Sequence, residues 1–179
     1  QSLQPFFKDG DLNITNLETV IDLKKRKFSK NALRFINKPE ILSSLKNINT
    51  NLACLANNHI MDNGDVGLKN TIKFLKKYKI NYVGAGSSLK KIYEPFVFKK
   101  DSNKIAIINT SEGEEANEKY NNHIGSSDIE SYKIIDQIRS CKKKGYLTIL
   151  IAHAGVEYIP FPPPYIKDIY KNFVDEGVN

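Results

Sequence analysis

Tryptophan is absent from this chain of 179 residues, methionine occurs once and cysteine twice. Two cysteines cannot build the disulfide framework of a small secreted scaffold. Cys54 falls in the apolar run Leu52-Ala53-Cys54-Leu55-Ala56 and Cys141 on an apparent helix, so both read as buried free thiols. Long hydrophobic runs are missing too. The longest largely apolar stretch, Leu147 to Ala152, is strand-sized, against the roughly 18 to 20 residues that cross a bilayer. No signal-peptide core follows Gln1. Arginine is scarce: the net charge of +7 is carried almost wholly by lysine. The lysines are scattered or form short solvated faces such as Lys24-Lys25-Arg26-Lys27 and Lys142-Lys143-Lys144. Without a stripe of arginine and aromatic residues, nucleic acid is not the expected partner. An anionic small molecule or polymer suits the charge.

What is present describes a globular α/β domain. The pattern predicts strands over Leu12–Leu17, Leu52–Ala56, Asn81–Val83 and Leu147–Ala152, the second and last as continuous apolar runs buried on both faces. Helices are expected from Pro39, over Asp65–Tyr78, from Ile129 to about Lys143, and over the i, i+3, i+4, i+7, i+8 series Ile166, Ile169, Tyr170, Phe173 and Val174. Gly145 and Gly177 stand where helix C-caps belong. Pro95–Lys99 and Lys104–Thr110 read as a hairpin around Lys100-Asp101-Ser102-Asn103. Gly84-Ala85-Gly86 lacks the third glycine and following helix of a dinucleotide fingerprint, so it reads as a tight turn. The segment Ile159 to Tyr165, with four prolines, reads as a rigid loop into the last helix. The sheet is expected to be mainly parallel, and the chain ends just where another strand is due.

In an α/β sheet, ligands bind beyond the carboxyl ends of the strands. Polar residues gather at three such ends: Asn16-Leu17-Glu18-Thr19, then Asn57-Asn58-His59 with Asp62-Asn63-Gly64, then His153-Ala154-Gly155-Val156-Glu157-Tyr158. Carboxylate, amide oxygen and imidazole together suit a divalent ion such as Mn, Zn, Fe or Mg. With Glu18, Asn58 and His153 as ligands, such an ion polarises a phosphoryl or carbonyl oxygen and brings the pKa of water to about 7. His59 then protonates a leaving oxygen. Each cluster also has a plainer reading. Asn16 and Asp62-Asn63-Gly64 are good turn residues, Asn57-Asn58 good caps, His153 a structural histidine, Glu157 a surface carboxylate and Tyr158 a core aromatic. His123, in the loose polar stretch Ser111–Asp128, reads as solvated.

Asn16-Leu17-Glu18-Thr19, Ala56-Asn57-Asn58-His59 with Asp62 and Gly64, Gly84-Ala85-Gly86, and His153 to Tyr158 occur in an order that resembles the capsule-synthesis (CapA, or poly-gamma-glutamate PgsA-like) family over nearly the whole chain. The resemblance implies a calcineurin-like metallophosphatase fold, with layered β-sheets flanked by helices and a site for two metal ions at the strand ends. It implies metal ligation by Glu18 as bridging acid, Asn58 and His153, with Asn16 beside them, and catalytic roles for His59, Asp62 and Glu157. The family's opening Gly-Asp strand and closing Gly-His-His-Pro-His element do not occur here, and residue 154 is Ala where many members have Trp. Residues 1–179 therefore read as one incomplete domain of this type, truncated at both ends, with part of a two-metal site.

The expected function is a metal-dependent hydrolase of bacterial capsule, poly-gamma-glutamate or surface-polysaccharide synthesis, acting on a phosphoester or amide alongside other capsule components. Two alternatives stand beside it: a non-catalytic component that binds an anionic polymer, and a phosphoesterase of small molecules. The location expected of such a protein is the bacterial cell envelope or the cytoplasm.

Overall fold

The computed structural model describes residues 4–24, 33–112 and 124–179. In chain order the elements are α1 (Gln4–Phe7), β1 (Ile14–Asn16), β2 (Val20–Ile21), β3 (Ile36–Asn37), α2 (Ile41–Asn47), β4 (Leu52–Cys54), α3 (Gly64–Lys77), β5 (Asn81–Val83), β6 (Ala85–Gly86), α4 (Leu89–Ile92), β7 (Phe96–Lys100), β8 (Asn103–Ser111), β9 (Gly125–Ser126), α5 (Tyr132–Lys143), β10 (Leu147–His153) and α6 (Pro164–Glu176).

Two three-stranded sheets carry the architecture. The first is all parallel, in the order β1-β4-β5, with Asn16 opposite Cys54 and Cys54 opposite Val83. The second runs β10-β8-β7: β10 lies parallel to β8, and β7 pairs with β8 as the expected hairpin. Alternation of side chains along the strands sorts the core into layers. Ala53 and Leu55 turn toward Leu68 and Leu75 of α3 and Leu42 of α2. Leu52, Cys54 and Val83 turn the other way and meet Ile107 and Ile151, so the two sheets pack on each other. Ile108, Leu150 and Ala152 face Ile134 and Ile138 of α5 and Ile166 and Phe173 of α6. The result is a mixed α/β fold with helices outside two stacked sheets, as the sequence pattern implies.

Three differences from the sequence reading have physical causes. β10 is the outermost strand of its sheet, so it is not buried on both faces: Leu147 and Ile149 remain 47% and 39% exposed. Gly84-Ala85-Gly86 is more than a turn, because Ala85 and Gly86 pair antiparallel with Ser126 and Gly125. Tyr158 is a surface residue, 97% exposed, on a loop that none of the core layers covers. The helix ends agree, with Gly145 and Gly177 at positive φ. Both cysteines are free and buried. Among the described residues no helix is long and apolar enough to cross a membrane. His123 lies outside the described residues.

Candidate functional site

β1, β4 and β10 are the strands whose carboxyl ends carry the polar clusters, and β1 and β4 are neighbours in one sheet. The turn after β1 is held by its own side chains: Asn16 Nδ2 donates to Glu18 Oε2 at 3.0 Å. The other oxygen of Glu18, Oε1, stands 3.8 Å from Nε2 of His153 at the end of β10. The loops after one strand of each sheet are thereby brought face to face. Both side chains are partly open to solvent, 42% for Glu18 and 31% for His153, as a site that admits a ligand requires.

The segment after β4 supplies two kinds of residue. Asn57 is fully buried. Its Nδ2 donates to Asn16 Oδ1 at 3.2 Å and to the Leu17 carbonyl at 3.1 Å, and its Oδ1 accepts the His59 amide at 3.2 Å. Asn57 is thus the mortar between the first two clusters. Asn58, beside it, is exposed, and its side chain makes no hydrogen bond among the described residues. Exposure leaves the Asn58 amide available to a ligand.

His59 and Asp62 form a pair. Nδ1 of His59 lies 2.9 Å from Asp62 Oδ2. That oxygen also accepts the Phe35 amide at 2.5 Å, and the Asp62 carbonyl accepts from Arg34 Nη1 at 2.9 Å. The Phe35 ring meets the imidazole edge-on, with centroids 4.3 Å apart. A carboxylate that accepts from Nδ1–H fixes the ring's orientation and leaves Nε2 to exchange a proton. Arg34 and Phe35 escape a sequence reading because nothing in Leu33-Arg34-Phe35-Ile36 resembles a motif. Their role depends on a contact made 27 residues along the chain.

Glu157 is exposed on the loop after β10 and bonds none of the other site residues among those described. Another carboxylate does the fastening there. Glu112, just past β8, donates its amide to the His153 carbonyl at 2.9 Å. Its side chain accepts the Gly155 amide at 3.1 Å and the Tyr165 hydroxyl. This bond pushes the Tyr165 pKa above its usual value, since the neutral phenol is the donor. Glu112 sits in a featureless polar stretch of sequence, which hides it.

Glu18 and His153 offer a carboxylate oxygen and an imidazole nitrogen to one point in space. Two ligands that share a divalent ion each lie about 2.0–2.2 Å from it, so a separation of 3.8 Å fits a shared ion. Among the described residues no group of three or more His, Cys, Asp and Glu gathers around a point. Further ligands would therefore come from amides such as Asn16 and Asn58, or from water.

Over residues 1–179 the chain matches the family model described as bacterial capsule synthesis protein PGA_cap. It is 28% identical over 185 residues to the capsule biosynthesis protein CapA of Bacillus anthracis, an alignment covering 99% of this chain and 45% of that protein. It is 25% identical over 184 residues to the PGA biosynthesis protein CapA of Bacillus subtilis (strain 168), covering 100% of this chain and 48% of that one. The chain thus spans about half the length of these curated relatives. Among solved structures, the NAD nucleotidase NadN of Haemophilus influenzae matches with 24% identity and a TM-score of 0.49, over 73% of this chain and 23% of that one.

Proposed function

This chain belongs to the bacterial capsule synthesis protein PGA_cap family, and we propose that it forms part of a metal-dependent hydrolase acting on a phosphoester or amide in the synthesis of an anionic surface polymer. The observation that carries the proposal is the approach of Glu18 Oε1 to His153 Nε2 from two different sheets, with the His59 backbone joined to Asn16 through the Asn57 side chain. Glu18 and His153 would hold a divalent ion, with Asn16 and Asn58 as amide neighbours; two ions remain the expectation for the full-length protein. Such an ion supplies Lewis-acid polarisation of the phosphoryl or carbonyl oxygen under attack.

The protein's own groups have separate tasks. Asn16 holds Glu18 Oε2 and leaves Oε1 turned to His153. Asp62 orients the His59 ring through Nδ1, which turns Nε2 to the task of passing a proton to the leaving group. Phe35 shields one edge of that ring. Glu157, exposed on the loop after β10, is kept as a candidate catalytic carboxylate. Poly-gamma-glutamate or a surface polysaccharide would be the polymer, and other capsule components the partners.

The test is metal content and turnover of the full-length protein. Wild type is expected to retain divalent metal, and Glu18→Gln and His153→Ala to lose it. His59→Ala is expected to keep the metal and lose turnover. The charge of +7 favours a second reading, a component that binds an anionic polymer without cleaving it. Polymer binding without turnover in the metal-loaded wild type would establish that reading instead.

A further inference from the structure

Asn109 of β8 is 3% exposed and lies at the junction of the two sheets. Both ends of its amide are used. Oδ1 accepts the Ala56 amide at 2.7 Å, and Nδ2 donates to the Ile151 carbonyl at 3.1 Å. Ala56 immediately precedes Asn57, and Ile151 stands two residues before His153. One side chain therefore holds both β10 and the segment that follows β4, close to the points where their site residues emerge.

The contacts close a circuit. From Asn109 it runs to Ala56 and Asn57, on to Asn16 Oδ1 at 3.2 Å, then from Asn16 to Glu18 at 3.0 Å. Glu18 faces His153 across 3.8 Å, and β10 leads back through Ile151 to Asn109. Above, Glu18 and His153 meet across a gap without a direct hydrogen bond. Below, Asn109 makes two hydrogen bonds, the one to Ala56 buried and the one to Ile151 partly buried. Both arms that end at the Glu18–His153 gap thus trace back to Asn109.

Gly84 shows how closely Asn109 is held. Gly84 has φ +90°, and a Cβ there would stand 2.2 Å from Asn109 Oδ1 and 2.9 Å from the Ala56 Cβ. Backbone conformation and clearance both demand glycine, and the Gly84 carbonyl is itself fixed by the Ser127 amide at 2.7 Å. Oδ1 thus lies close against Gly84 where it accepts the Ala56 amide.

We infer that Asn109 is a positioning residue of the site: a buried amide strut between the Asn57–His59 segment and β10 that sets the Glu18–His153 separation and hence the affinity for a divalent ion. The last clause rests on the metal-dependent reading above; the strut itself does not.

The experiment compares full-length wild type with Asn109→Ala, Gly84→Ala and a control, Leu75→Ala, whose side chain is buried against the other face of the first sheet. Thermal melting establishes that each is folded, and Gly84→Ala disturbs the strut from the opposite side where Asn109→Ala does not fold. Mn2+ affinity is read by titration, and the imidazole 15N resonances of His59 and His153 are read without metal. The expected result is Mn2+ binding weakened roughly 10- to 100-fold, as for residues that orient metal ligands, with shifted His153 resonances in both test variants and neither change in the control. Equal losses in Leu75→Ala, or resonances in Asn109→Ala that superimpose on wild type, overturn the inference. If wild type binds no Mn2+, the metal reading fails and the metal-free resonances alone decide whether Asn109 is the strut.

Discussion

Oδ2 of Asp62 serves two donors at once, Nδ1 of His59 at 2.9 Å and the Phe35 backbone amide at 2.5 Å. The first bond belongs to the proposed chemistry and the second to the fold, and substitutions separate them. Asp62→Asn keeps an acceptor oxygen for Phe35 but replaces the carboxylate that orients the His59 ring. Turnover is expected to fall about 100-fold or more, with a small change in urea midpoint. Asp62→Ala strands the Phe35 amide as well and is expected to destabilise the protein by about 1–3 kcal/mol, read from denaturant unfolding.

Asn57 and Asn58 are neighbours with opposite expectations. Asn57→Ala removes three hydrogen bonds from a fully buried position and leaves the Leu17 carbonyl and the His59 amide without that partner. A loss of about 2–4 kcal/mol is expected, measured by urea unfolding. Asn58 is exposed and has no such bonds among the described residues, so Asn58→Ala should stay within about 0.5 kcal/mol of wild type. Its effect should fall on metal content. A large stability loss for Asn58→Ala with unchanged metal would assign it to the fold.

What the sequence made legible was whatever local pattern encodes. The α3 and α6 periodicities, the β7–β8 hairpin and the buried β4 run are statements about residues close in the chain, and the elements sit within a few residues of their expected bounds. The three polar strand ends were legible because the α/β architecture itself says where ligands bind. Exposure of β10 was not, because an apolar run does not reveal which strand is outermost. Asn109, Glu112 and Phe35 were hidden for a related reason. Each acts through a contact 27 to 53 residues away along the chain, and none stands in a pattern of its own.

The Glu112–Tyr165 bond ties the start of α6 to the end of β8, and the Gly155 amide joins the same carboxylate. Between these two ties runs a loop with Val156, Tyr158, Ile159 and Phe161 exposed. Tyr165→Phe removes one tie and no volume of the ring. Amide exchange over residues 156–163 is expected to accelerate while α5 and α6 keep their protection. Because the bond raises the Tyr165 pKa, the tie is intact below the usual phenol value and is lost as pH rises through the raised one. An absorbance titration of tyrosinate should show one late-ionising group fewer in Tyr165→Phe.

Cys54 gives the clearest pH dependence. Its thiol is enclosed between the two sheets by Leu52, Val83 and Ile107, and burial pushes its pKa from 9.0 to about 12. The unfolded chain ionises at the lower value and the folded one at the higher. The contribution to stability is therefore complete below pH 9 and declines as pH rises from 9 toward about 12. Alkaline unfolding curves for wild type and Cys54→Ala should converge over that window, because only the wild-type unfolded state gains a thiolate there. The same enclosure makes the native thiol a poor nucleophile. Iodoacetamide at pH 8 is expected to label Cys54 only after denaturation, and rapid native labelling would mean that the two sheets part far more readily than their packing implies.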